Sequence, residues 1–321
     1  MNVVRSLDQL HREKNSVVTV GTFDGIHLAH REIIREVVNR ARMREGRSVV
    51  VTFDPHPKEV VTSARGAVQL LSTLDERITL LSGLHVDLLL VIPFTFEFSR
   101  VSASEFYTAY IDGRVGVSEV VVGFDHTFGR DREAGTKDLV ALGRDLDFSV
   151  FAVHPMTVDG EQISSTRIRR SLAAGDVERA ERMLGYPYSL TGTVVTGDGR
   201  GRTLGFPTAN LHLLGGRKQI PGNGVYLVSV AGAGIQQRYG IMNIGVRPTV
   251  SAGTAQVIEV HMFDFSRDIY GERLEVTFLR RLRDERRFAS VAELVEQLGK
   301  DRDHARRLIS SLSYSPTQSK E

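Results

Sequence analysis

Two histidines three residues apart, His27 and His30, follow an apolar strand that breaks at glycine, in the run Val20-Gly21-Thr22-Phe23-Asp24-Gly25-Ile26-His27-Leu28-Ala29-His30. Residues at that spacing lie on one face of a helical turn. The N-terminus of a helix carries unpaired amides and the positive end of its dipole, so it attracts anions. Together these features fit a nucleotide phosphate, cradled by Gly21, Thr22, Phe23, Asp24 and Gly25 beside the histidines. A tight turn with incidental histidines is the alternative; it leaves unexplained why strand, turn, paired histidines and helix coincide. A second run, Ile163-Ser164-Ser165-Thr166-Arg167-Ile168-Arg169, presents hydroxyls at a helix start and an arginine three residues beyond Thr166. Ser165, Thr166, Arg167 and Arg169 suit the β and γ phosphates of a triphosphate, because hydroxyl and guanidinium donors both satisfy phosphate oxygens. An ordinary Ser/Thr N-cap with solvated arginines is the other reading of those residues.

A third run, Gly197-Asp198-Gly199-Arg200-Gly201-Arg202-Thr203-Leu204-Gly205-Phe206-Pro207-Thr208-Ala209-Asn210, is rich in glycine but is no dinucleotide fingerprint. No helix is expected to open after its glycines and Pro207 stands where one would run, so its backbone reads as a flap over phosphates.

The elements that must position these runs can be read from periodicity. Val17–Gly21, Ser48–Phe53, Asp87–Ile92, Glu119–Gly123 and Phe148–Val153 read as strands separated by helical patterns, which predicts a parallel α/β sheet. Ile34, Val37, Val38 and Ala41 recur at helical spacing, so Gly21 to Gly25 turn the chain at the carboxyl edge of that sheet. Helices are expected at Thr166–Ala174 and Val177–Leu184, joined by Gly175-Asp176. Beyond Gly185-Tyr186-Pro187 the pattern changes to period-two strands: Ser189–Thr196, Val225–Val230, Tyr239–Ile244, Val257–Phe263 and Leu274–Leu279. These predict an antiparallel barrel. Ser290 and Glu293 form a capping-box pattern before a helix striped by Leu294, Leu298, Ala305, Leu308 and Leu312.

Composition narrows the function classes. A length of 321 residues with 41% hydrophobic content supports two ordinary domains. A formal charge of +2 gives no case for a nucleic-acid partner. The lack of cysteine excludes disulfides and thiolate metal sites. Met1 to Ser16 is polar, and no run approaches the roughly 18 apolar residues of a membrane span, so a soluble cytoplasmic protein is expected.

The first run resembles the HxGH signature of the nucleotidylyltransferase superfamily, and Ile163 to Arg169 resembles its ISSTxxR partner. Thr52-Phe53-Asp54-Pro55-His56-Pro57 and Val122-Gly123-Phe124-Asp125-His126-Thr127-Phe128-Gly129 are similar to the FMN adenylyltransferase domain of bacterial bifunctional FAD synthetases. Pro207-Thr208-Ala209-Asn210 resembles the PTAN motif of riboflavin kinase, and Val225-Tyr226, Asn243 to Thr249 and Glu259-Val260-His261 match in the same order. The resemblance covers residues 17 to 310. It implies a Rossmann-like α/β nucleotidylyltransferase domain over residues 1–185 and an antiparallel β-barrel riboflavin kinase domain with a C-terminal helix over residues 186–321. It further implies that riboflavin is phosphorylated to FMN with ATP and Mg²⁺, and that FMN is then adenylylated with ATP to FAD and pyrophosphate.

Residue by residue, the resemblance implies that Thr208 and Asn210 are the Mg²⁺ and phosphate ligands, with Gly197, Gly205 and Pro207 in the flap. Glu259 matches the general base that takes the ribityl hydroxyl proton. Its alternation with Ile258, Val260 and Met262 puts Glu259 on the side away from the core, which a solvated strand carboxylate also satisfies. His27 and His30 would stabilise charge at the α-phosphorus, Arg169 with Ser165 and Thr166 would grip pyrophosphate, and Asp125 and Phe128 would lie near the flavin. Ala29 departs from the signature, which has glycine there; its methyl is expected to narrow the nucleotide pocket. An adenylyltransferase for another phosphomonoester fits the first half alone, and a non-catalytic flavin-binding protein is the rival from another class.

Overall fold

The computed structural model describes residues 1–61, 68–124, 127–129, 134–197, 199–214, 217–248 and 254–313. The chain divides into two compact units, Met1–Arg167 and Ile168–Glu321.

In the first unit the order is β1 (Asn2–Val4), β2 (Ser16–Val20), α1 (Leu28–Met43), β3 (Ser48–Asp54), α2 (Pro57–Val61), α3 (Leu74–Ser82), β4 (Leu88–Pro93) and α4 (Ala103–Glu105), which continues as π-wound turns over Phe106–Val115. Then come β5 (Val117–Gly123), the short ribbon β6 (Thr127–Phe128) and β7 (Ala134–Gly135), α5 (Thr136–Asp145), β8 (Ser149–Val153), the ribbon β9 (Thr157–Val158) and β10 (Glu161–Gln162), and the start of α6 (Ser165–Ala173). Six strands form one parallel sheet in the order β1-β4-β3-β2-β5-β8. Its central strands are near-continuous Val and Leu runs because helices cover both faces. On one face Ile34 and Val38 of α1 and Leu81 of α3 pack on Val50 and Leu89; on the other Tyr107, Ile111, Leu139 and Phe148 pack on Val18, Val49 and Leu90. From β2 the chain builds outward through β3 and β4 on one side, while β5 and β8 lie on the other. The carboxyl end of β2 is therefore the switch point where such sheets bind ligands, and Gly21 comes directly after it. The strand β1 falls in the segment that reads as plain polar sequence. It is a three-residue edge strand, too short for periodicity to show, held by pairing Asn2 with Leu88.

In the second unit α6 ends and α7 (Val177–Leu184) begins, capped by Asp176, which accepts from the Arg179 amide at 2.9 Å. Gly185, left-handed at φ 77°, ends it. The barrel is closed and antiparallel in the order β11-β12-β15-β14-β13-β16. Its strands are β11 (Ser189–Val195), β12 (Ala209–Leu213), β13 (Gly224–Gly232), β14 (Ile235–Pro248), β15 (Thr254–Met262) and β16 (Arg273–Arg283). Closure removes every sheet edge. Along β11, buried Leu190, Gly192 and Val194 alternate with half-buried neighbours, as the period-two reading requires.

Two features of this unit differ from the sequence reading. A sixth strand, β12, begins inside the run expected to be wholly flap, and a single helical turn, α8 (Arg200–Thr203), opens after Gly199 where no helix was expected. Gly199 is left-handed at φ 67°, which lets the chain reverse into that turn; with only four residues it supports no dinucleotide motif. The last helix, α9 (Val291–Ser313), starts on the expected cap: Ser290 Oγ accepts from the Glu293 amide at 3.2 Å, and the Glu293 carboxylate accepts from the Ala289 amide at 3.2 Å. Ala305 of α9 is fully buried against Val225, Leu227, Ile241 and Phe263.

Candidate functional site

The first site is the turn between β2 and α1. Phe23 (φ 47°), Gly25 (φ 85°) and Ile26 (φ 37°) are left-handed, and two of them pay the cost of a side chain in that region. The surroundings over-determine the turn. The Gly21 amide donates to the Val51 carbonyl at 3.0 Å, and the Thr22 carbonyl accepts from Arg77 Nη1 at 2.9 Å and Thr52 Oγ1 at 3.2 Å. The Asp24 carboxylate is buried and accepts from the amides of Leu71 and Ser72 at 3.0 and 2.9 Å. The Gly25 amide donates to Ser72 Oγ at 2.8 Å. Asp24 thus holds the turn's shape through its side chain, while its carbonyl accepts from Ser165 Oγ at 3.0 Å. That last bond joins the two runs singled out in the sequence.

His27 is the N-cap of α1: its Nδ1 accepts from the His30 amide at 3.3 Å, so a neutral His27 carries its proton on Nε2. The two rings stack with centroids 3.5 Å apart and 15° between planes, and the edge of His30 meets Phe23 at 5.2 Å. His30 Nδ1 is buried with no hydrogen-bond partner among the described residues. Burial, and secondarily the neighbouring His27, hold the His30 pKa well below the usual 6.5, so its imidazole is neutral at pH 7. The stacked rings stand at a helix N-terminus, where the neutral His30 is poised to gain positive charge when an anion arrives.

Of the remaining residues of the second run, Thr166 is exposed and Arg167 turns to the β9–β10 ribbon, donating to the Gln162 carbonyl at 2.7 Å and facing Glu161 at 3.5 Å. Arg169 stands on α6 four residues past Ser165 and is partly exposed. Asp125 lies outside the described residues. Phe128 pairs through its backbone with Ala134, and its side chain is outside the description. Sequence reasoning passed over Arg77. Its guanidinium is buried and spans the Thr22 carbonyl, Thr52 Oγ1 and the Phe53 carbonyl at 2.9, 3.0 and 3.3 Å, tying the ends of β2 and β3 together. Burial lowers its pKa from the usual arginine value against the opposing pull of Asp24, Asp54 and Glu59. Arg77 stands between Leu74 and Leu81 at helical spacing, the one local signal that its face is buried.

The second site is a cavity of about 330 Å³ in the barrel unit, lined by the flap residues Gly199, Gly201, Leu204, Phe206 and Thr208, by strand residues and by one side of α9. Glu259 on β15 is in register with Asn210 of β12 on one side and Asn243 of β14 on the other. All three line the cavity. Ile258, Val260 and Met262 are buried, so the expected alternation holds. Gly197 lies against the Asn210 amide so closely that no Cβ fits there, and Gly205 is left-handed at φ 79°. The cavity holds two further acids. Asp301 is buried and paired with Arg283 at 2.7 Å, and Glu285 packs against Gly245 where a Cβ would collide with it. Asn243, Arg283, Asp301, Leu294 and Leu298 join the lining without having been assigned to it from the sequence.

The donor set fits Mg²⁺ of one kind. Among the described residues no three His, Cys, Asp or Glu side chains gather into a metal cage. Thr208 and Asn210 offer hard oxygens at the cavity wall beside Glu259, which suits a small cation that brings phosphates as its other ligands.

Residues 9–167 match the FAD synthetase family, and residues 184–309 match the riboflavin kinase family. The bifunctional riboflavin kinase/FMN adenylyltransferase of Pseudomonas fluorescens is 39% identical over 315 residues, covering 98% of this chain and 100% of that one. The protein of the same description from Listeria monocytogenes is 38% identical over 298 residues, covering 93% and 94%. A crystal structure described as a macrolide-efflux protein from Streptococcus pneumoniae superposes with a TM-score of 0.84 at 36% identity, over 95% of this chain and 98% of that one. Among the described residues of this chain no helix is long and apolar enough to cross a membrane. With both family domains in order, and relatives above 30% identity along nearly the full length, the chain belongs to the family of bifunctional riboflavin kinase/FMN adenylyltransferases.

Proposed function

We infer that this protein phosphorylates riboflavin to FMN with ATP and Mg²⁺ and then adenylylates FMN with a second ATP, releasing FAD and pyrophosphate. The observation that carries the reading is the barrel cavity with Glu259 set between Asn210 and Asn243, present on the same chain as a paired-histidine turn at a helix N-terminus.

In the barrel the ribityl hydroxyl becomes a competent nucleophile as its proton leaves, and Glu259 is the acid assigned to take it. Of the other cavity acids, Asp301 is committed to Arg283 and Glu285 is packed against Gly245. The hydroxyl oxygen bonds to the γ-phosphorus as the bond to the bridging oxygen breaks and ADP leaves. Thr208 and Asn210 would hold Mg²⁺, which when bound offsets charge on the phosphates. The flap residues Gly197, Gly205 and Pro207 close the backbone over them.

In the α/β unit no base is required, because a phosphomonoester is already anionic at neutral pH. An FMN phosphate oxygen attacks the α-phosphorus of ATP and pyrophosphate departs. His27 and His30 stabilise the charge that develops, and a triphosphate beside His30 favours its protonated form. Gly21, Thr22, Phe23, Asp24 and Gly25 shape the phosphate cradle, and Ser165, Thr166, Arg167 and Arg169 are assigned to the leaving pyrophosphate. Asp125 and Phe128 are assigned to the flavin on the resemblance alone. We place the boundary between the activities at residues 185/186, and both ATP-consuming reactions in the cytoplasm. Small molecules, namely riboflavin, FMN and ATP, are its partners. Incubation with riboflavin, ATP and Mg²⁺, with chromatography of the flavins, tests the reading: FMN appears first and FAD accumulates from it. Riboflavin left unchanged would contradict it.

A further inference from the structure

His261 shares the cavity face of β15 with Glu259, two residues away, yet neither the phosphorylation nor the adenylylation uses it. Its Nδ1 lies 2.8 Å from the Pro207 carbonyl oxygen. Oxygen there can only accept, so the ring must carry its proton on Nδ1 and donate. Pro207 has no amide hydrogen, which leaves its carbonyl as its one backbone hydrogen-bonding group. The pairing of β12 with β15 extends through Ala209 opposite Val260 and Asn210 opposite Glu259. The next step toward the flap would bring Thr208 opposite His261, and there a side chain takes the place of the ladder. The ring also meets Phe206 edge to face, centroids 5.5 Å apart, and Phe263 at 5.9 Å, while the Arg302 guanidinium of α9 stands 5.8 Å from the Phe206 ring.

We propose that His261 is a positioning residue for the kinase site: by donating to the Pro207 carbonyl it fixes the peptide plane between Pro207 and Thr208. Thr208 and Asn210 are then presented beside Glu259 before any substrate binds. The inference rests on the riboflavin kinase reading of the barrel. Hydrogen bonding and ring packing can be separated, because Phe keeps the ring and loses the donor, while Asn places an amide nitrogen at the same bond distance from Cα as Nδ1.

The experiment compares wild type, His261→Phe and His261→Asn as full chains. Hydrogen exchange of the flap amides from Gly201 to Asn210 is measured without ligand, and riboflavin phosphorylation is measured across a Mg²⁺ titration. FMN adenylylation serves as the folding control. For His261→Phe the flap should exchange faster, and half-saturation should need roughly tenfold more Mg²⁺, the equivalent of one lost hydrogen bond. His261→Asn should stay near wild type in both. Unchanged flap exchange in His261→Phe, or an Asn variant as impaired as the Phe variant, would overturn the proposal. A wild-type protein that leaves riboflavin untouched at every Mg²⁺ concentration would instead refute the kinase reading, and flap exchange would still decide the role of His261.

Discussion

Asp301→Ala is the substitution whose cost can be worked most directly from the geometry. The buried carboxylate accepts from Arg283 Nε at 3.0 Å to each oxygen, from Arg283 Nη2 at 2.7 Å and from Gln297 Nε2 at 2.6 Å. Alanine removes all of these and strands the guanidinium. Breaking a buried pair at one partner costs about 3–5 kcal/mol. The Arg283 side chain keeps 19% of its exposure, so water recovers part of that and a loss near the lower end, about 3 kcal/mol, is expected. In a unit of this size the loss lowers Tm by about 6–12 °C, read as a shift of the barrel's transition in scanning calorimetry. Arg283, Asp301, Leu294 and Leu298 all line the cavity, so KM for riboflavin should rise while FMN adenylylation is unchanged. Combining Asp301→Leu with Arg283→Met should recover most of the stability, since no charge is then left buried without a partner. An Asp301→Ala variant within about 1 kcal/mol of wild type, the range of an exposed pair, would refute the reasoning.

Three further outcomes concern the two sites. His30 has a folded pKa below its unfolded value of 6.5, so the unfolded chain binds the proton first as pH falls. Stability should therefore drop below about pH 6.5 by more in wild type than in His30→Asn, and denaturation curves at pH 7 and 5 that show equal losses would count against a buried neutral imidazole. Ala29→Gly should improve adenylyl transfer if the methyl narrows the pocket, at a helix cost of up to about 1 kcal/mol; equal or slower FAD synthesis by a folded variant would show that alanine is accommodated. Thr208→Ala should raise the Mg²⁺ requirement of riboflavin phosphorylation alone, and an unshifted titration would remove Thr208 from the metal's ligands.

The features legible in the sequence were those that neighbours in the chain decide. The valine runs of β3 and β4 announce strands buried on both faces, and the glycine turn before His27 announces the switch-point site. The alternation around Glu259 put its side chain on the correct side of β15. The features that stayed hidden depend on partners far along the chain. Arg77 falls in the apolar stripe of Leu74, Ile78 and Leu81, which marks its face as buried, but the carbonyls of Thr22 and Phe53 that converge on it come from far along the chain. The strand β12 carries two leucines among polar residues and exists because β11 and β15 flank it. Asp301 could have been found: with Leu294, Leu298, Ala305 and Leu308 it falls in one stripe at helical spacing, and an acid in an apolar stripe needs a cation opposite it. Asn243 stood in a matching run, but only the barrel's register brings it beside Glu259.

The central claim, two chemistries on one chain with Glu259 serving only the first, is tested most directly by Glu259→Ala with each flavin supplied separately. Phosphorylation of riboflavin should fall by about 10² to 10⁴, the usual contribution of a general base, while added FMN is converted to FAD at the wild-type rate. Wild-type phosphorylation by a folded variant would make Glu259 an ordinary strand carboxylate, and an equal loss of both activities would contradict the separation of the two sites.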